Sequence, residues 1–318
     1  MKVLLTGAAG FIGSHVAEAL LARNDIVVGV DNFNDYYSPA RKRANVAPLL
    51  SKVNFTLHEA DIRDRDEIER ICAQGGFDVV LHLAALAGVR SSITNGPLYA
   101  EVNVLGTVNL LEAARKVRTP HFVFASTSSV YGRSTRIPFR EDDPLGHPLA
   151  PYPATKIAGE VMGHAYHNLF AISFTALRFF SVYGPRGRPD MMPYHVTECI
   201  VKGQEFTLYE GGQMHRDWTY IDDIVAGILA ALDRPMEYQV INLGRGEPVL
   251  MADFVRLAER LVGKPAHVVT APAPPSEPPI TYADVTRARD LLDYHPKVSV
   301  DEGMRRFWEW YQSEVLAQ

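Results

Sequence analysis

The stretch KVLLTGAAGFIGSHVAEALLA, residues 2–22, leaves few folds open. An apolar run that reads as a strand enters a turn with Gly7, Gly10 and Gly13 at G-x-x-G-x-x-G spacing, and a helical pattern follows. Glycine permits a tight turn, a close approach of backbone N–H groups to a pyrophosphate, and close helix–strand packing. One lysine ahead of an apolar stretch also looks like a secretory leader. The glycine spacing and the strand-like DIVVGVD that follows favour a folded β-α-β unit instead. Asp31 ends that second strand about 20 residues on, where a carboxylate bonds a ribose hydroxyl pair.

The same rhythm continues. KVLLTG (2–7), IVVGVD (26–31), VNFTLHEAD (53–61), FDVVLHLA (77–84), HFVFAST (121–127), SFTALRFF (173–180) and YQVINLG (238–244) are apolar with little alternation. Strands covered on both faces read this way. Helical patterns lie near 11–23, 64–74, 98–118 and 152–170. Alternating β and α predicts a doubly wound parallel sheet, an α/β Rossmann architecture with right-handed crossovers. From about 185 the rhythm changes. Helices near 193–202, 251–262 and 301–315 and the Pro-rich APAPPSEPPI (271–280) predict a second, smaller mixed α/β domain. The expected division is 1–180 with 217–243 returning to it, against 181–216 and 244–318.

Composition narrows the function. A net charge of -5, with no basic run, argues against a nucleic-acid partner. No run of 18 apolar residues occurs, so no membrane span is expected. Cys72 and Cys199, the only cysteines, have no metal-type ligand at a useful spacing. They read as buried thiols of a reducing compartment, and the location expected is cytoplasmic.

Asp31 favours NAD over NADP, because a 2′-phosphate would meet a like charge, although Arg41 and Lys42 stand near enough to reach one. Asp61 and Ile62, after the third strand, are candidates for the adenine. The reactive centre is read from YPATK: Tyr152 and Lys156, four apart on a helix, share a face. A phenol near pKa 10 is a poor base at neutral pH. An adjacent ammonium and a helix N-terminus near Pro153 favour phenolate and make the pair an acid/base. STSSVYG (126–132) ends a strand in four hydroxyls and no acid. Thr127 is the candidate for bonding the reacting oxygen, since carboxyl ends of such strands face the ligand crevice.

Gly7, Gly10, Gly13, Asp31, STSSVYG and Tyr152 with Lys156 together resemble the extended short-chain dehydrogenase/reductase family. DNFNDYYSPARKRAN (31–45), HLAALAGVRSSI (82–93), RFFSVYGPRGRPDM (178–191) and HRDWTYIDDIV (215–225) are similar to nucleotide-sugar 4-epimerases of the UDP-glucuronate type. The resemblance implies an isomerase with tightly held NAD that is reduced and reoxidised within each turnover. Tyr152 would take the sugar 4-hydroxyl proton, Lys156 would bond the nicotinamide ribose, and Thr127 would steady the oxygen. Phe11, Ile12, Asn32, Leu83, Ala84, Ala85 and Asn103 would lie along the cofactor, and Arg216 would meet the diphosphate. A homodimer is also implied, through the helices at 98–118 and 152–170, whose apolar positions include Val102, Leu105, Val161, Ala165 and Leu169.

The hydroxyls of STSSVYG then acquire a meaning. Sugar 4,6-dehydratases resemble STDEVYG and UDP-glucuronate decarboxylases STSEVYG, whereas this chain has Ser128 and Ser129 there. A 4-keto glucuronate is a β-keto acid that loses CO2 when its carboxylate stands perpendicular to the carbonyl plane. Ser129, Ser181 and Arg188 are the candidates for pinning that carboxylate. Ser181 stands where threonine is expected, Ser91 where an aromatic is common, and SEPPI where a Gly-Asp pair is usual. A UDP-glucose/galactose 4-epimerase is therefore the nearest alternative. UDP-glucuronate decarboxylation and a non-catalytic NAD sensor are more distant ones.

Overall fold

The computed structural model describes residues 1–134 and 136–317. The chain opens as β1 (Lys2–Thr6), α1 (Phe11–Ala22), β2 (Ile26–Asp31), α2 (Pro39–Val46), β3 (Phe55–Glu59), α3 (Arg65–Cys72) and β4 (Val79–His82). Two short helices, α4 (Val89–Ile93) and α5 (Gly96–Ala100), lead into α6 (Gly106–Val117) and β5 (His121–Thr127). The long α7 (Pro151–Phe170), β6 (Ser173–Phe179) and β7 (Ser181–Tyr183) follow. The remainder is α8 (Met192–Lys202), β8 (Glu205–Tyr209), β9 (His215–Tyr220), α9 (Ile221–Asp233), β10 (Tyr238–Leu243), β11 (Pro248–Leu250), α10 (Met251–Val262), β12 (His267–Ala271), α11 (Thr286–Leu292) and α12 (Val300–Tyr311).

Seven strands form one parallel sheet in the order β10-β6-β5-β4-β1-β2-β3. All seven are the strands expected from the apolar runs. Their side chains alternate between two cores, as a period of two requires. Val3, Leu5 and Val27 face the α1 and α9 side, whereas Leu4, Val28 and Val80 face α3 and α6. The order reverses at β1 and β4, and ligands of open α/β sheets bind at such a reversal, beyond the carboxyl ends of the strands.

Two smaller sheets lie apart from this one, β11-β9-β7 and β12-β8. Their strands were not expected, and neither was α9, which follows β9 without an intervening turn residue. The helix expected over 98–118 is interrupted. A π turn at Glu101–Leu105 separates α5 from α6 and inserts one extra residue per turn, so Asn103 is aimed inward. On α7, Gly159 and Gly163 let the helix lie on the sheet. A Cβ on either would come within 2.4 Å of the Phe124 ring or 2.1 Å of the Phe174 ring.

Candidate active site

A cleft of about 430 Å³ opens over the carboxyl ends of β1, β2, β4 and β5. Its floor at one end is the glycine turn. Gly7 has φ +72°, and a Cβ there would sit 2.8 Å from the Ala84 nitrogen. A Cβ on Gly13 would fall 2.0 Å from the Gly7 carbonyl oxygen, so α1 can start this close to the turn only with glycine at both places. Helix α1 has no side-chain cap. Its first amides, at Phe11, Ile12 and Gly13, therefore point into the cleft without intrahelical partners, a ready anion seat.

Asp31 lies at the far side of this seat. Its carboxylate accepts from the Ala9 amide at 3.0 Å and the Phe33 amide at 2.9 Å, which fixes its orientation. Burial pushes its pKa up, against the pull of those two amides and of Lys42. Lys42 also lines the cleft, but its ammonium donates to the Asn34 carbonyl and side chain at 2.7 and 2.8 Å, and Arg41 donates to Tyr194. Neither basic group is free for a 2′-phosphate. Asn32, Ile62, Leu83, Ala84 and Ala85 complete the apolar-to-polar wall that a dinucleotide needs. The residues present thus fit NAD: glycine turn, uncapped helix and ribose-facing carboxylate.

Three expected residues stand elsewhere. Asp61 is off the cleft wall. It accepts from Asn32 at 2.9 Å and from Arg63 at 2.8 Å, and the guanidinium holds its pKa down to about 2. Asn103 is off the wall as well. Its side chain accepts from the Leu86 amide at 2.8 Å and donates to the Leu86 carbonyl at 2.9 Å and to the Thr155 hydroxyl at 3.0 Å. It braces the loop after β4 against α7. Arg216 is set back behind Glu277, to which it donates at 2.8 Å, and only Glu277 faces the cleft.

The reactive end is assembled from β5 and α7. Thr127, Ser128 and Ser129 turn off β5 in a short 3-10 segment, with the Thr127 hydroxyl accepting from the Ser129 amide at 3.2 Å. Tyr152 lines the cleft beside Thr127, and Lys156 lies one turn further along α7 with its ammonium 4.8 Å from the Phe124 ring centre. Burial raises the Tyr152 phenol, while the Thr127 hydroxyl and the Arg188 charge pull it back. Burial has itself brought Lys156 down to about 7, leaving it a weakened positive charge.

Opposite stand Ser181 from β7 and Arg188 from the loop after it. Several groups of this wall were not singled out in the sequence. Tyr36, Arg90, Asp190 and Glu277 all face the cleft. The Tyr36 hydroxyl meets Ser91 at 2.9 Å, and Ser91 meets Tyr99 at 2.9 Å, a hydroxyl chain across the space beside Tyr152. Tyr36 lies in DNFNDYY and Asp190 in GRPDM, so both were within quoted motifs. Glu277, in the Pro-rich passage, had no local signal.

Comparison with known proteins agrees with this architecture. Residues 3–244 match the model of the NAD dependent epimerase/dehydratase family. UDP-glucuronate 4-epimerase 4 of Arabidopsis thaliana is 43% identical over 98% of this chain and 76% of its own length. The UDP-glucuronic acid 4-epimerase of Bacillus cereus, solved with UDP-glucuronic acid and NAD, superposes with a TM-score of 0.93 at 37% identity, over 98% of this chain and 99% of that one. The UDP-glucose 4-epimerase of Thermotoga maritima, solved with UDP-glucose, gives 0.91 at 30%, over 98% and 99%. With a glycine turn, a buried carboxylate and a Tyr–Lys pair in one cleft, and with relatives matching over 98% of its length, this chain belongs to the NAD dependent epimerase/dehydratase family.

Proposed function

We propose that this chain is an NAD-dependent isomerase that interconverts UDP-glucuronate and UDP-galacturonate at C4. One observation carries the reading: Thr127, Tyr152 and Lys156 line the same cleft as Ser129, Ser181 and Arg188. NAD, when bound, supplies hydride removal from C4 and its return. Tyr152 takes the proton of the 4-hydroxyl and gives it back, and Thr127 holds that oxygen through its hydroxyl. Lys156, lining the cleft beside them, would bond the nicotinamide ribose. Ser128 and Ser129 offer hydrogen bonds without a base, so the 4-keto sugar has no partner for further proton removal there.

The two other acids of the cleft are both committed to arginines. Asp190 is bound twice by Arg188, and Glu277 by Arg216. Ser129, Ser181 and Arg188 hold the sugar carboxylate near the carbonyl plane, where CO2 loss is stereoelectronically disfavoured. Arg90, which lines the cleft, and Arg216, paired with Glu277 behind it, are the candidates for the diphosphate. Incubation with UDP-glucuronate, followed by proton NMR of the anomeric region and a CO2 assay, tests the reading. UDP-galacturonate without CO2 is the expected product pair, and a pentose product would reject it.

The Asp190 carboxylate supports a second reading, UDP-glucose/UDP-galactose epimerisation, because it already neutralises Arg188. Activity on UDP-glucose exceeding that on UDP-glucuronate would select it.

The reading extends to a homodimer and to two lobes. Val161 and Leu169 on α7 are 63% and 68% exposed, and Leu105 at the π turn is 50% exposed. Such a face suits the α6–α7 pair of a second copy. Val161→Glu with Leu169→Glu should turn a dimer into a monomer in light scattering. A cofactor-binding unit over 1–180 with 217–243 and a sugar-binding unit over 181–216 with 244–318 fit this division of labour. Among the described residues no helix is long and apolar enough to cross a membrane, and Cys72 and Cys199 are free thiols, which supports a reducing, cytoplasmic setting.

A further inference from the structure

A buried ionic chain lies beneath the reactive pair, and the proton and hydride steps do not themselves use it. Glu160 stands one turn beyond Lys156 on α7, and each is 3% exposed. Residues four apart share a helix face. Arg178 from β6 grips the Glu160 carboxylate with two parallel bonds, Nε to Oε1 at 2.9 Å and Nη2 to Oε2 at 2.7 Å. The hydroxyl of Ser126, which precedes Thr127 on β5, donates to the same Oε1. The remaining Arg178 nitrogen, Nη1, donates to the Tyr131 hydroxyl at 2.9 Å, which donates to Asn242 on β10 at 2.7 Å. A carboxylate bound in this way cannot swing away from its place.

The surroundings of Lys156 leave Glu160 in a singular position. From α7 itself come Tyr152 and Glu160. From β4 comes His82, kept neutral by burial and by Lys156, with Thr6 and Thr107 hydroxyls on its two nitrogens at 2.7 and 3.0 Å. From β5 come the Phe124 ring and the Ser126 and Thr127 hydroxyls. Arg178 on β6 is spent on Glu160, Tyr99 from α5 meets Tyr152 edge-on, and Arg188 acts on the Tyr152 phenol. Arg90 on α4 points instead to Tyr209 and Glu277. Among the described residues Glu160 is the charge that favours the ammonium form of Lys156, against a burial that disfavours it.

We propose that Glu160, clamped by Arg178, is a positioning residue that sets its carboxylate one helical turn from Lys156, favouring the ammonium there, and, through Ser126, fixes where Thr127 leaves β5. The inference rests on Tyr152 and Lys156 being the reactive pair of the proposed epimerisation. Its physical content is that a charge removed at Glu160 is felt at Lys156 as a change of protonation, not merely as lost stability. The Arg178 grip holds the Glu160 carboxylate in place, and the chain to Asn242 anchors it across β5, β6 and β10.

The test is the pH profile of kcat and kcat/KM for the holoenzyme and three variants, Glu160→Gln, Glu160→Asp, and Glu160→Gln combined with Arg178→Gln. The double variant leaves no buried unpaired guanidinium, which guards against misfolding of the single one, and because it removes both charges of the pair its limbs should move less than those of the single variant. Loss of the charge should move the basic limb down by about one pH unit and the acid limb up, narrowing the bell. Glu160→Asp keeps the charge and should keep the limbs, at a lower kcat. Folded Gln variants with unmoved limbs and only a reduced kcat or Tm would overturn the proposal. So would failure of both Gln variants to fold, which would place Glu160 in the stability of the core alone. The product of the unmodified enzyme, read first by NMR, checks the epimerase reading separately.

Discussion

Arg188 meets Asp190 through two hydrogen bonds inside the cleft wall, Nε to Oδ1 at 2.9 Å and Nη2 to Oδ2 at 2.6 Å. The guanidinium also lies over the Tyr36 ring, 5.2 Å from its centre, and the Tyr36 hydroxyl reaches Asp190 at 3.3 Å. A guanidinium carries five N–H groups in a fixed fork, and this pairing uses two. Nη1 is therefore left to receive a second carboxylate without release of the first. Asp190 and Tyr36 act as a mount that sets the angle at which a sugar carboxylate is met.

Arg188→Ala should therefore separate charged from neutral substrates. Loss of a charge-assisted hydrogen bond costs about 1.5–3 kcal/mol, which is about 10- to 100-fold in KM for UDP-glucuronate. UDP-glucose, having no carboxylate, should be spared. Steady-state kinetics on both sugars measure the ratio. An equal loss on both would remove the uronate grip from Arg188.

Tyr152→Phe should leave the cofactor seat intact, since the ring remains and no cleft residue on the glycine side depends on its hydroxyl. Turnover should fall by about two orders of magnitude or more, the usual worth of a positioned acid/base. Bound NAD is read from absorbance of the purified protein, and turnover from coupled product assay. Activity like that of the unmodified enzyme would mean that the proton moves through another group.

Gly13→Ala tests the glycine turn by geometry alone. Alanine favours a helix over glycine by about 1 kcal/mol, so an exposed site would gain stability. Here the new methyl falls 2.0 Å from the Gly7 carbonyl oxygen, and the backbone of the turn must move. Such overpacking costs about 1–3 kcal/mol and displaces the amides of the anion seat, so NAD affinity should drop about tenfold. Titration calorimetry on stripped protein measures it. Unchanged affinity together with a higher Tm would show that the seat does not need this close approach.

What the sequence discloses follows from which interactions are local. The seven strands of the main sheet are readable because both faces are covered and the apolar runs are unbroken. β9 is not, although five of its six residues are buried. Its Arg216 and Asp217 interrupt the run, and Asp217 is buried only because the amides of Ala283, Arg245 and Gly246 bond its carboxylate from 28 to 66 residues away. The glycines, Asp31, Tyr152 and Lys156 are legible because turn, strand end and helix pitch fix them within a few residues. Asn103 is legible as an oddity, a polar residue on an apolar helix. Its place behind the wall depends on the π turn and on Leu86 and Thr155, which no local pattern reveals. The pairing of Arg216 with Glu277 likewise spans 61 residues.

Lys156 should cost the fold what it gives the chemistry. Burial holds it at about 7, whereas an unfolded chain keeps the proton to about 10.4. Between those values the unfolded state binds more protons, so the stability attributable to this group rises with pH, and below about 7 the burden is full. The limit of that burden is about 5 kcal/mol, from the difference between the two values. Lys156→Met keeps a similar shape without the charge. It should abolish turnover yet raise Tm by a few degrees at about pH 6, with the gain shrinking as pH rises toward 10. Thermal melts at matched NAD content across that range measure the trend. A gain independent of pH would mean that Met improves packing, and a loss of stability at low pH would mean that Glu160 more than offsets the desolvation of the ammonium.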